Sequence, residues 1–229
     1  MVTSEFAEEI RHELNCQTVF TIPGVNIGVK ESIVVSWIII AVVVLLCMIF
    51  VRNLSVDKPG KAQLLLESCV EALNNMLAGM VGPHATEYIP FLATVLIYIG
   101  IANIIGIFGF KPPTKDLNVT VGLSVMSICL IELAGIRKKG IGGWLKAFTE
   151  PIGIITPINI LELVIRPLSL CMRLFGNVLG AFVVMKLIEF VLPVGLPVVF
   201  SLYFDFFDGF IQAYVFVFLT SLFVSEAVE

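Results

Sequence analysis

The chain has 229 residues, 58% of them hydrophobic and only 14% charged, with a formal net charge of −4 at pH 7. A soluble domain carries roughly 25% charged residues and needs polar groups to cover its surface. This composition, with a mean hydropathy of +1.02, excludes a water-soluble fold and makes lipid the solvent. No long basic run marks a nucleic-acid surface, so no nucleic-acid partner is expected.

Residues 1–31 carry Glu5, Glu8, Glu9, Glu13 and Glu31 against Arg11 and Lys30. A cleavable signal would begin basic and turn apolar at once. The segment is therefore expected as an extracytoplasmic tail, followed by a transmembrane helical region over 32–229 in one membrane domain.

About 20 mostly apolar residues are needed to cross a bilayer. The stretch 32–51 meets this without a charge, 88–110 meets it with Asn103 as its most polar member, and 119–136 carries Glu132 near its end. From 159 to 190 the chain stays largely apolar but includes Glu162, Arg166, Arg173, Lys186 and Glu189; the last stretch, after Pro197, includes Asp205, Asp208 and Gln212. The pattern predicts an all-α integral membrane fold of about five transmembrane helices, the last two long, tilted and antiparallel. Between the first two spans, 62–81 reads as one interfacial amphipathic helix, with Leu65, Cys69, Leu73 and Met76 on one side and Glu67, Glu71 and Asn74 elsewhere. The segment 111–118 reads as a rigid polar loop and 137–146 as a basic one. No internal repeat is visible, which weighs against an inverted-repeat transporter.

The five cysteines are Cys16, Cys47, Cys69, Cys129 and Cys171, an odd count with no C-x-x-C pair. Neither a disulfide framework nor a metal site is supported. They are expected to act as small buried hydrophobes. No cofactor is expected.

The densest basic cluster, Arg137, Lys138, Lys139 and Lys146, places its loop in the cytoplasm. Counting outward from it, the N-terminus lies outside, 111–118 outside, 52–87 inside and the C-terminus inside.

Charges within the last two spans carry the functional signal. An Arg in mid-bilayer costs from ~3 to more than ~10 kcal/mol, and it cannot neutralise itself. Arg173 stands about fourteen residues into its helix, roughly 21 Å at 1.5 Å per residue, beyond easy snorkelling. At about 100° per residue, Glu162, Arg166, Arg173 and Asn177 share a face, whereas Lys186 and Glu189 form an i,i+3 pair elsewhere. Asp205, Asp208 and Gln212 form a second stripe at α-helical spacing. The antiparallel arrangement lets Gln212 and Arg173 meet near mid-depth, with the Asp pair on the outer side and Glu162 on the inner side. Polar groups thus lead inward from each surface to a permanent cation, which suits two offset half-pathways rather than one continuous channel.

The segment Pro167-Leu-Ser-Leu-Cys-Met-Arg173-Leu-Phe-Gly-Asn177 resembles the signature P-[LIV]-S-L-x-x-R-L-F-G-N of the F-type ATP synthase subunit a family. Gln212-Ala-Tyr-Val-Phe-Val-Phe-Leu-Thr220 resembles its second motif. Asn103 through Asn118 and Pro157-Ile-Asn-Ile-Leu-Glu162 are similar to two further segments. The resemblance implies a non-catalytic, ion-translocating subunit in a bacterial plasma membrane, with ATP chemistry in partner subunits. It implies two half-channels against a rotating c-subunit ring, a b-subunit peripheral stalk, and coupling of H⁺ or Na⁺ flow to rotation and ATP synthesis. The family's essential arginine falls on Arg173, its polar partners on Asn103, Asn177 and Gln212, and its cytoplasmic-side acid on Glu162. Many relatives carry Glu or His nine residues after the arginine, where this chain has Phe182. The outer pathway is therefore expected to rest on Asp205 with Asp208.

A stand-alone transporter would need its own substrate cavity. A membrane enzyme would need a motif such as H-E-x-x-H or G-x-S-x-G, and the chain has neither. A plain anchor leaves two aligned polar stripes unexplained.

Overall fold

The computed structural model describes residues 18–21, 28–51, 60–83, 85–108, 110–147, 156–191 and 196–228. The tail before residue 18, with Cys16, and the Lys58-Pro59 break lie outside the described residues, as does the side chain of Asp205.

The elements are β1 (Thr18–Thr21), β2 (Gly28–Lys30), α1 (Glu31–Val51), α2 (Lys61–Val81), α3 (Ile89–Ile104), α4 (Leu117–Ala147), α5 (Thr156–Val191), α6 (Leu196–Ser201) and α7 (Gly209–Val228), with a π-helical stretch, Leu202–Asp208, between the last two. Strands β1 and β2 pair antiparallel, with Thr21 opposite Gly28 and an irregularity between Thr18 and Phe20. The sequence patterning did not anticipate this small hairpin. The remainder is helical, as expected of an all-α membrane protein.

Among the described residues six helices are long and apolar enough to cross a membrane, one more than the five spans read from the sequence. The sixth is α2. No described side chain over 61–76 is buried, whereas Leu77 and Val81 are. Leu73 and Met80 also pack against the core, so the helix meets the bundle through its C-terminal half. Gly82 follows at φ 76°, a left-handed conformation that favours glycine, and its N–H caps Ala78 O at 3.1 Å.

Helix α1 is anchored by its first half. Ser32, Val35 and Ile39 are buried, and Val35 and Ile39 cluster with Ala102 of α3. Tyr98 donates to Ser36 Oγ at 2.9 Å. Beyond Ile39 the helix is apolar and, apart from Val43, which still packs against that cluster, exposed.

The centre of the bundle is the packing of α7 against α3 and α4. On α7, Gln212, Ala213, Phe216, Val217, Thr220, Ser221 and Val224 are buried at alternating spacings of one and three. On α3, Leu92, Val95, Leu96, Ile99, Ala102 and Asn103 answer them. In lipid there is no hydrophobic drive between helices, so close van der Waals contact has to hold them. Gly209 permits the closest approach: a Cβ there would lie 2.9 Å from Asn103 Cβ.

Helix α4 runs through the segment read as a basic loop. It breaks only at Gly140, at φ 73° and ψ 164°. The short helical end then returns, and Trp144 Nε1 donates to Glu132 Oε2 at 2.7 Å. The intervening residues are good helix formers, so the helix persists until glycine permits a left-handed turn.

Helix α5 has 36 residues, about 54 Å at 1.5 Å per residue. That far exceeds a hydrocarbon core of about 30 Å, so a spanning α5 must tilt. Only Leu170, Cys171 and Leu174 of α5 are buried. Pro167 lies inside the helix and offers no N–H to the preceding turn. The expected burial of the cysteines holds for Cys171 alone: Cys47, Cys69 and Cys129 are exposed on the chain, where an apolar thiol suits a lipid-facing surface.

Candidate functional site

Two polar cavities open along α5, separated by the stretch that holds Arg173. The first, about 250 Å³, is lined from α5 by Asn159, Glu162, Leu163 and Arg166, from α4 by Glu132 and Lys139, and from α7 by Glu226. The second, about 410 Å³, is lined from α5 by Val178, Phe182, Lys186 and Glu189, and elsewhere by Asn103, Lys115, Asp208 and Gln212. On α5 they are separated by residues 167–177, about 18 Å from Arg166 to Val178 at the helical rise.

Arg173 lies between the cavities and lines neither. It is exposed, and it has no hydrogen bond or ion pair among the described residues. Gly176 and Gly180, three and seven residues further along α5, are also exposed, with nothing within 4 Å of a Cβ at either position. This leaves a shallow, open helix face beside a permanent cation.

Gln212 does not meet Arg173 but Asn177, four residues further along α5. Asn177 Nδ2 donates to Gln212 Oε1 at 2.6 Å, while Gln212 Nε2 is buried with no partner among the described residues. Asn103 is buried as well: its Nδ2 donates to the carbonyl of Gly209 at 3.0 Å, and its Oδ1 accepts from Thr114 at 2.8 Å. Asn103 therefore ties the 111–118 segment to the start of α7, one turn before Gln212.

Asp208 lines the second cavity with Gln212. The α-helical spacing assumed for the Asp205-Asp208-Gln212 stripe does not hold throughout, because 202–208 is π-helical. A π-helix closes i→i+5 bonds and turns each side chain through a smaller angle. Asp208 adjoins regular helix and keeps its place one turn from Gln212.

Phe182 meets a cation: Lys115 Nζ sits 3.2 Å from its ring centroid. Lys115 is only 7% exposed. The sequence placed it in a rigid polar loop, and no local pattern signals that it turns inward. The Lys186–Glu189 pair forms at 3.1 Å.

At the first cavity Arg166 Nη2 contacts Glu162 at 3.1 Å and Glu226 at 2.8 Å, and the guanidinium lies 4.9 Å from the Phe223 ring centroid. Glu226 escaped the sequence reading, although a signal existed. It stands fourteen residues after Gln212, about 40° from its face at 100° per residue. Among the described residues no group of His, Cys, Asp and Glu could hold a metal ion.

Outside the spans, Asp116 anchors the 111–118 segment. It is buried and accepts from Ser32 Oγ at 2.7 Å, from Asn118 N at 3.1 Å and from Lys30 Nζ at 3.4 Å. Burial alone would raise its carboxyl, but the hydrogen bonds from Ser32 and Asn118 and the Lys30 charge together hold it below the ordinary value of 3.8.

Long apolar helices enclosing buried amides and carboxylate-lined cavities define a polytopic membrane protein. The family model described as ATP synthase A chain matches residues 33–225. ATP synthase subunit a of Moorella thermoacetica is 34% identical over 204 residues, covering 89% of this chain and 93% of the relative. ATP synthase subunit a 3 of Pelobacter propionicus is 34% identical over 204 residues, 87% of this chain and 88% of the relative. A more distant relative, the protein named "ATP synthase subunit a, sodium ion specific" of Propionigenium modestum, is 27% identical over 216 residues, 87% and 74% of the two chains. The chain belongs to the ATP synthase A chain family.

Proposed function

We propose that the chain is the ion-translocating subunit of an F-type ATP synthase, carrying H⁺ or Na⁺ through two offset half-channels that meet a rotating c-subunit ring at Arg173. The observation that carries this reading is the separation of the two cavities by the α5 stretch bearing an exposed Arg173 with no partner among the described residues. The open face around Gly176 and Gly180 supports α5 as the ring-facing helix. The exposed length of α1 and α2 leaves surface for the b-subunit stalk and lipid.

The site residues take these roles. Asp208 and Asp205, with Asn103, serve the extracytoplasmic half-channel, and Glu162 serves the cytoplasmic one. Asn177 and Gln212 fix the crossing of α5 and α7 beside Arg173. A fixed cation lowers a nearby carboxylate's pKa by about 1–3 units. As a ring carboxylate passes, Arg173 favours its bare anionic form and so releases the ion to the exit side. The same charge repels a cation attempting to cross directly. That barrier protects ~2.3 kcal/mol per charge per 100 mV of membrane potential. ATP chemistry belongs to partner subunits.

Helix α2 lies in the cytoplasmic interface plane in this reading. Its polar residues and the lack of a buried side chain among its described residues before Leu77 support that placement, and five helices then cross the membrane. The N-terminus lies outside and the C-terminus in the cytoplasm.

Single cysteines test the two half-channels in a cysteine-free background, in sealed vesicles with a small impermeant thiol reagent. Asp208→Cys is expected to react from the extracytoplasmic side and Glu162→Cys from the cytoplasmic side. Reaction of both from one side would overturn the arrangement.

A further inference from the structure

We infer that Glu226 is a further ion-path residue, acting with Glu162 as a pair of interchangeable carboxylates that Arg166 positions across α5 and α7. The inference rests on the translocation reading proposed above.

One nitrogen of Arg166 serves both acids, at 3.1 Å from Glu162 Oε2 and 2.8 Å from Glu226 Oε1. The two carboxylates come from different helices, and both side chains are about half exposed, 50% for Glu162 and 56% for Glu226. Both line the same cavity, with Lys139 and Glu132. Glu132 is already engaged by Trp144. Arg166 cannot give up its proton, so it holds but does not carry. Its ring contact with Phe223 fixes the guanidinium plane on the α7 side.

The charge arithmetic of the cluster gives it a function. One guanidinium faces two carboxylates, so one negative charge is left over. Either carboxylate can take up an arriving ion while the other keeps the bridge to Arg166. The ion is handed on without leaving Arg166 unpaired. Glu162 alone, locked to Arg166, would have to break its only ion pair at each transfer. Two exchangeable acids on one cation remove that barrier.

The test measures ion-driven ATP synthesis per assembled complex in inverted vesicles. In a Glu162→Gln background, Glu226→Gln is expected to lower synthesis at least about tenfold, while Glu226→Asp stays within about threefold. A merely structural contact reverses that order, because Gln keeps the length and hydrogen-bonding shape that Asp loses. Equal behaviour of Gln and Asp, or no effect of Glu226→Gln, would overturn the inference. Where the double variant does not assemble, the single Glu226 variants supply the comparison through passive ion conduction of the membrane sector. Slower conduction in Glu226→Gln than in Glu226→Asp supports the pair, and equal rates refute it. An Arg173→Ala control separates the two levels. If Arg173→Ala abolishes synthesis while Glu226→Gln changes nothing, the inference fails and the translocation reading stands.

Discussion

Asn177 Nδ2 donates to Gln212 Oε1 at 2.6 Å, joining α5 to α7 one helical turn from Arg173. The bond fixes the depth at which the two helices cross, and so the height of the arginine relative to both cavities. It is the point where the two family motifs meet in space.

A double-mutant cycle should find the two amides coupled. Interhelical hydrogen bonds in membranes average about 0.6 kcal/mol and reach about 1.7. Asn177→Ala and Gln212→Ala are each expected to lower the thermal stability of the purified membrane sector, and the double variant should lose less than the sum. Strict additivity would show that the bond contributes nothing to the crossing.

Asp116 makes stability depend on acid pH. Its folded carboxyl lies below the ordinary value, so its contribution is complete above the unfolded pKa of about 4 and is lost as pH falls through the lower folded value. The wild-type melting temperature should therefore fall below about pH 4 more steeply than that of Asp116→Asn. At neutral pH, Asp116→Asn should cost about 2 kcal/mol, the scale of a hydrogen-bonded buried charge. Parallel melting curves for the two proteins against pH would contradict the role assigned to Asp116.

Much of this arrangement is legible in the sequence, and the exceptions have physical reasons. The apolar runs located the membrane helices because lipid demands length and composition together. Arg173, Glu162 and Gln212 stood out because a charge or amide inside such a run is costly. Contacts between distant segments were not legible in the same way. Glu226 drew no reading from the sequence, because its partner Arg166 stands sixty residues away. Lys115 reads as a loop cation, and its burial depends on Phe182, sixty-seven residues away. The π-helical turn at 202–208 has no compositional signature, so an α-helical stripe was drawn through it. Gly140 was visible as a glycine, but only the backbone shows that the helix runs up to it before turning.

Topology can be checked with reporter cysteines in a cysteine-free background. Lys111→Cys is expected to label from the extracytoplasmic side and Lys138→Cys from the cytoplasmic side, following the basic cluster that includes Arg137 and Lys139. Labelling of both from one side would contradict an odd number of crossings between them.

The most direct test is ion-driven ATP synthesis per assembled complex in inverted vesicles carrying Arg173→Ala. Arg173 has no partner among the described residues, so a packing role gives it little to hold. Arg173→Ala should abolish coupled synthesis, because nothing then favours release from the ring carboxylate, and passive leak should rise as the barrier between the half-channels goes. Arg173→Lys should fail nearly as badly, since an ammonium desolvated against the ring can lose its proton and lacks the planar set of donors. Loss of synthesis with complex abundance unchanged is the result expected. Normal synthesis per complex in Arg173→Ala would contradict the proposed mechanism.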